Sequence, residues 1–293
     1  MRISTAYQFE SYSQGIARSQ VRMFESQRQV TTGKRIHSVS DDPFGATQVI
    51  GLRSLKAASE QYKKNVDTAR GYLGFSEVAL GESHDIMRRA YELAVRGANG
   101  ATDQMAREGM VTEIQQLQQR ILDLANARGP SGQYLFAGQD SGNKPFVLNG
   151  NSLTYGGDAF DVVVETSPTE TLAINTKGDP LFIEAYDRLE TLKNNLMGGN
   201  VSALSGVSIP ELQTSMRDLN AARGVVGVKL QEVERLQADH VRRIDEFTRS
   251  ISDVEDVDLA EAITKYQMSQ VAYEAALNVA ANGFKLSLMD FMR

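Results

Sequence analysis

Apolar residues recur every three or four positions at both ends of this chain. Near the start Phe9, Tyr12, Ile16, Met23 and Val30 keep that step, with Ser19 and Ser26 as small polar members of the same stripe. Near the finish Leu259, Ile263, Tyr266, Tyr273, Leu277, Ala280, Phe284 and Phe291 keep it too, interrupted by Gln270 and Ser287. Heptad spacing sustained over that length predicts two long amphipathic helices, each with an apolar seam that calls for a partner helix. Chain ends fray unless something ties them down. Ends patterned in this way point to pairing with each other or with neighbouring subunits, and so to assembly rather than catalysis.

The pattern changes between the ends. Residues 31–46 are rich in turn formers, and Ser40 or Asp41 is expected to cap a new helix with Pro43 in its first turn. Leu52, Leu55, Tyr62, Val66, Ala69, Leu73, Leu80, Met87, Tyr91 and Ala94 then form one stripe, which predicts a helix roughly 70 Å long. A second helix carries Met110, Ile114, Leu117, Ile121 and Leu124 and ends before Gly129-Pro130. Between 129 and 180 lie eight of the 24 glycines and four of the six prolines, with short apolar runs at Tyr134, Pro145, Leu153, Phe160 and Thr171. That alternation predicts a small insert of about five strands. Helical pattern returns at 181–196, stops at Gly198-Gly199-Asn200, and resumes from Pro210 to about Ser252, with 253–258 capping the last helix.

The fold class expected is therefore mainly α: a long antiparallel helical bundle or coiled coil built from both chain ends, with a small β-rich domain inserted in the middle. The expected divisions are terminal coiled-coil segments at 1–42 plus 254–293, a rod-like bundle at 43–132 plus 181–253, and the insert at 133–180.

Composition narrows the function. The 293 residues, 41% apolar and 23% charged, suffice for one or two cored domains. The net charge of −6 does not favour nucleic acid or anionic membrane. The ends differ in sign: residues 1–36 carry six basic against two acidic side chains, and 254–293 six acidic against three basic. Opposite signs on facing helices select partner and register. With no cysteine there is no disulfide framework, thiolate metal site or thiol nucleophile. The first residues hold no apolar run of the kind a secretory leader needs, and no stretch approaches the ~20 apolar residues of a membrane span. Export, if it occurs, is expected without a cleaved hydrophobic leader.

Candidate chemistry is sparse. His37, His84 and His240 lack ligand-spaced partners and read as surface or interfacial. Asp41-Asp42 reads as a helix start, where the dipole favours negative charge, rather than an acid–base pair. The cluster Asp253, Glu255, Asp256 and Asp258 lacks the glycine and the terminal Glu of a calcium loop, and Asp258 with Glu261 is spaced as a capping box. Gly71, Gly74, Gly224 and Gly227 lie inside predicted helices, which suggests close helix approach or a bend. No nucleophile–base pair, metal set or nucleotide loop is present, so neither an enzyme nor a cofactor is expected.

The segment Gln29-Val-Thr-Thr-Gly-Lys-Arg-Ile-His-Ser-Val-Ser-Asp-Asp-Pro-Phe-Gly-Ala and the block Tyr91-Glu-Leu-Ala-Val-Arg-Gly-Ala-Asn-Gly resemble the corresponding blocks of the flagellin superfamily. Gly132-Gln-Tyr-Leu-Phe-Ala-Gly-Gln, Lys144-Pro-Phe-Val and Tyr155-Gly-Gly-Asp are similar to blocks that mark its hook–filament junction branch. The resemblance implies an extracellular subunit of the bacterial flagellum, exported unfolded by the flagellar type III apparatus with a cytosolic export chaperone. The partners it implies are further copies of itself, in a ring or tube, hook-associated protein 1 and flagellin. It also implies terminal segments that are disordered in the free monomer and form an inner coiled-coil layer on assembly. The small insert departs from flagellins with large outer domains, and the ending Leu288-Met-Asp-Phe-Met-Arg departs from their common one. A short flagellin, a coiled-coil signalling bundle and a secretion-needle tip are the rival readings.

Overall fold

The structure, a computed structural model, describes residues 5–99 and 103–291, with side chains described for residue 7 and for 9–283 within those limits. Six long helices dominate: α1 (Thr5–Thr32), α2 (Pro43–Ala98), α3 (Gln104–Ala125), α4 (Asp179–Met197), α5 (Ile209–Glu255) and α6 (Leu259–Phe291). A short helical turn and one π-helical turn at Leu204–Ser208 lead into α5. Between α3 and α4 lie β1 (Phe146–Asn149), β2 (Ser152–Tyr155), β3 (Val163–Ser167) and β4 (Glu170–Ala173). They form two separate antiparallel hairpins, with Phe146 opposite Tyr155 in one and Val163 opposite Ala173 in the other. The fold class is the one the patterning predicts: mainly α, with a small β region in the middle.

Among the described residues the strand count is four rather than five. Tyr134–Ala137 reads as a strand because it is a short apolar run between turns. Instead Leu135, Phe136 and Ala137 are fully buried, and the backbone bonds locally, Leu135 N–H to Ala127 O at 3.0 Å and Tyr134 N–H to Ser141 O at 2.9 Å. The run makes one isolated antiparallel bridge, Tyr134 with Arg128, and no ladder.

The chain divides into two compact units, one of 1–57 and 244–293 and one of 58–243, so α2 and α5 contribute residues to both. In the second unit α2 buries Val66, Ala69, Leu73, Ser76, Leu80, Ser83, Met87, Ala90 and Ala94, a continuous heptad seam. The two serines remain satisfied, donating to Tyr72 O at 3.0 Å and Ala79 O at 2.7 Å. On α5 Leu212, Leu219, Val226, Val233 and His240 are buried at seven-residue steps. Ile114 and Ile121 of α3 and Leu189, Leu192 and Leu196 of α4 join the same core.

The β region has no core of its own. Leu135, Phe136, Phe146, Leu153 and Ile174 belong to the helical core, and the Phe136 and Phe146 rings lie 4.7 and 5.6 Å from the ring of Phe182 on α4. Tyr72 of α2 donates to Leu135 O at 2.5 Å. Burial, with Tyr155 nearby, pushes its phenol up to about 12, so the group acts only as a neutral donor.

Two readings of single residues change. His240 is buried rather than on the surface: it stacks on Tyr62 at 5.9 Å and its Nε2 bonds Thr166 O at 2.9 Å, tying β3 to α5. Of Gly71, Gly74, Gly224 and Gly227, only Gly71 has a neighbour that a Cβ would touch, Pro130 at 3.4 Å. Close approach within the chain therefore does not account for Gly74, Gly224 or Gly227.

Candidate functional site

The first unit contains the two ends. α1 and α6 pack along each other, and their antiparallel sense follows from Gly283 lying beside Tyr12 while Lys34 pairs with Asp256. A Cβ on Gly283 would stand 2.8 Å from the Tyr12 ring, so glycine permits the approach there. Along α1 the half-buried positions are Tyr12, Ile16, Ser19, Met23 and Val30, with Ser26 buried and Phe9 exposed. Along α6 they are Tyr266, Ser269, Tyr273, Ala276 and Gly283, with Ala262 and Ala280 buried.

The structure thus brings Tyr12, Ile16, Met23, Val30, Tyr266 and Tyr273 to the α1–α6 contact, and it leaves Leu259, Ile263 and Leu277 exposed. Phe284 and Phe291 lie in α6, but their side chains fall outside the described residues. The physical reason is size. The buried positions of this helix pair are Ser26, Ala262 and Ala280, and on α6 the alternate seam positions that face α1, Ala262, Ser269 and Ala276, stand one residue before Ile263, Gln270 and Leu277.

That offset leaves large apolar side chains of α6 exposed among its polar ones. Met268 (68% exposed), Val271 (65%), Val279 (58%) and Leu277 (41%) all meet solvent. α1 adds Tyr7, Val21 and Phe24. Clustered exposed apolar side chains mark a contact surface, and among the described residues α6 packs chiefly on α1. Met268, Val271, Val279, Val21 and Phe24 are not on the stripes read from the sequence. The signal for them was available in the apolar positions of α6 that fall outside any one heptad seam.

Charge is concentrated at the turn between α1 and α2. α1 stops at Thr32, where Gly33 takes φ +71, a conformation open to glycine. The turn then bonds to the junction of α5 and α6: Arg35 N–H to Glu255 O at 2.7 Å and Val257 N–H to Gly33 O at 3.0 Å. The Glu255 carboxylate, buried to 8% exposure, accepts from Lys34 Nζ at 2.7 Å and Arg53 Nη2 at 2.6 Å. Asp42 rather than Ser40 or Asp41 caps α2, accepting from Gly45 N–H at 2.9 Å. Asp41 instead fixes the turn, accepting from His37 and Ser38 N–H at 3.0 Å each. These backbone bonds hold both aspartates below the usual carboxylate range. Asp258 accepts from Ala260 and Glu261 N–H and starts α6.

Burial pushes the Glu255 carboxyl up, but hydrogen bonds and charge from Lys34 and Arg53 outweigh it and hold the group below its ordinary value. A carboxyl lowered in the folded state stabilises the fold at neutral pH, and that contribution is lost as pH falls through the acidic range. Glu255→Gln is expected to cost about 1–3 kcal/mol at pH 7, the cation partners being solvent-accessible, and much less at pH 3. Urea midpoints followed by circular dichroism at the two pH values check this; equal losses at both would contradict the clasp.

Among the described residues no group of three or more metal-ligating side chains occurs, and no helix is long and apolar enough to cross a membrane. His37 bonds Thr32 Oγ1 at 2.5 Å, and His84 lies 3.8 Å from Asp85.

Known proteins are similar to this chain in sequence along its whole length. The family model described as the bacterial flagellin N-terminal helical region matches residues 3–141. The flagellar hook-associated protein 3 of Escherichia coli (strain K12) is 26% identical over 319 aligned positions, covering all of both chains. Its counterpart of that name in Salmonella typhimurium is 25% identical over the same extent. Among solved structures, a flagellar hook-associated protein from Vibrio parahaemolyticus superposes with a TM-score of 0.68 at 19% identity, covering 74% of this chain and all of that one. At that identity the last likeness concerns the fold alone.

Proposed function

We propose that this chain, similar over its whole length to flagellar hook-associated protein 3 of two bacteria and over residues 3–141 to the flagellin N-terminal region, is a flagellin-superfamily structural subunit of the bacterial flagellum at the junction between hook and filament, assembling through its terminal helices. The observation that carries the assembly mechanism is the exposed apolar surface of α6. Met268, Val271, Leu277 and Val279 share one helix that has one partner in its unit. Each such side chain gains ~1.5–3 kcal/mol on full burial, less the cost of ordering it. That drive is available only when other helices cover the remaining faces.

The same offset explains why the end pair is marginal alone. Two long helices held chiefly through serine, alanine and half-buried tyrosine have little core, and isolated helices are weakly stable in water. Ordering coupled to association makes polymerisation cooperative and keeps the free chain easy to thread for export. On this reading the segments 1–42 and 254–293, with the seam Phe9, Tyr12, Ile16, Met23, Val30, Leu259, Ile263, Tyr266, Tyr273, Leu277, Phe284 and Phe291, form the inner assembly layer. The bundle at 43–132 with 181–253 and the insert at 133–180 lie outside it. The neighbours are further copies, hook-associated protein 1 and flagellin, the export route is the flagellar type III apparatus with a cytosolic chaperone, and the role is mechanical rather than enzymatic.

Deleting the gene and imaging the cells by negative stain, while probing the medium for flagellin, tests the placement. Hooks without filaments and flagellin shed unpolymerised into the medium are expected. Normal filaments would overturn the junction role, and bare hooks with no flagellin anywhere would make the chain the filament subunit.

A further inference from the structure

Along one flank of their contact α1 and α6 leave an open groove of about 360 Å³. The side chains lining its middle are small: Ser19 and Ser26 of α1, Ser269 and Ala272 of α6. Its rims are Arg22, Glu25 and Gln29 on α1 and Lys265 and Met268 on α6, all of them exposed except the half-buried Gln29. Among the described residues Arg22, Glu25 and Lys265 form no ion pair. The groove therefore presents two unpaired cations against one unpaired carboxylate.

The other flank of α6 carries large side chains. Counted from Ser269 at 100° per residue, Lys265, Met268 and Ala272 stand roughly 40–100° to one side, and Leu259, Ile263, Glu274 and Leu277 roughly 80–140° to the other. Those last four are exposed. Among the described residues Glu274 accepts only from Gln270, at 3.4 Å, and has no cation beside it. Large apolar knobs with a carboxylate among them fit a groove of small residues rimmed by cations. Groove and knobs lie on opposite flanks of one helix, so they meet only between copies, and head-to-tail contacts of that kind generate rings or tubes. The spacing also agrees. With two α6 helices running parallel and offset by roughly 12–14 Å, Leu277 reaches the level of Ser269 as Glu274 reaches that of Lys265.

We propose that the Glu274–Leu277 flank of α6 in one copy seats in the Ser26–Ser269 groove of the next, with Glu274 beside Lys265 and Arg22. The proposal rests on the assembly reading above and names a contact within it. Residues 265 and 274 stand roughly 13 Å apart along α6 and on opposite flanks, so only another copy can compensate a charge exchange between them. In cells lacking the native gene, Glu274→Lys and Lys265→Glu are each expected to lower the fraction of filamented cells at least about tenfold, because like charges then face each other across the contact. The chain carrying both is expected to recover to within about twofold of the unaltered chain. A groove filled by a different protein would leave the double variant as defective as the singles, and that result would overturn the proposal. Normal filaments in either single variant, or loss of helical circular dichroism in a purified one, would overturn it too. The gene deletion separates the two levels. If the deletion removes filaments and both single variants keep them, the contact is refuted and the junction role stands. If the deletion itself makes normal filaments, the junction role has failed.

Discussion

Replacing Val271 and Leu277 together by Asp leaves a folded, helical chain that no longer assembles. Both side chains are substantially exposed on α6, and surface substitutions away from special features change stability by within about 0.5 kcal/mol. In the assembled layer each loses ~1.5–3 kcal/mol of burial, and each new carboxylate must also be desolvated. At 1.4 kcal/mol per tenfold, the concentration needed for assembly rises by at least about a hundredfold. Circular dichroism on the purified chain and electron microscopy of cells carrying the variant measure the two halves separately. Intact assembly would mean that the exposed faces of α6 are not contacts. Loss of helical signal in the free chain would mean that those residues serve the fold instead.

The second large effect lies away from the ends. Phe182→Ala removes a fully buried ring that stands 4.7 Å from Phe136 and 5.6 Å from Phe146. Truncations of this kind cost about 3–5 kcal/mol, a large fraction of the total stability of a typical domain. Because those three rings join α4 to the β region, the urea midpoint of the helical signal should fall together with the near-ultraviolet signal of the tyrosines. Phe160→Ala, at an exposed position on the same β region, should shift neither by more than about 0.5 kcal/mol. A Phe182→Ala chain with unchanged helical stability would show that the β region folds on its own core.

Helices were readable because their apolar period is long and regular. The seam from Val66 to Ala94 repeats for four heptads and is buried throughout, so a one-dimensional pattern determines its inward face. At the ends the same reasoning found the helices and the inward face of α1. On α6 it selected Tyr266, Tyr273 and Ala280, which lie at or beneath the contact, together with Leu259, Ile263 and Leu277, which stay exposed while Ala262, Ser269 and Ala276 turn toward α1. Pattern favours the largest apolar residues, whereas a two-helix contact with little to cover it closes over the smallest. A helix with apolar side chains on more than one face supports several seams at once, and only the position of its partner decides among them.

Other features depended on tertiary contacts that leave no local trace. His240 sits at a heptad position of α5 yet is polar, and its burial follows from Tyr62 and the carbonyl of Thr166, both distant in sequence. Glu255 looked like one carboxylate in an acidic cap until Lys34 and Arg53 converged on it. The run at Tyr134–Ala137 has the composition of a strand, but its residues fill the core against Phe182 and Tyr72. In each case the sequence identified an unusual residue, and the fold supplied the partner that explains it.

Hydrogen exchange of α1 and α6, compared between the free chain and the chain in isolated hook–junction particles, tests the assembly mechanism most directly. The account predicts that amides of both helices exchange fast in the free chain and slow by at least about a hundredfold on assembly, while the core amides of α2 and α5 are slow in both. Equal protection of α1 and α6 in the two states would contradict it, because terminal helices already stable in the free chain would owe nothing to their neighbours.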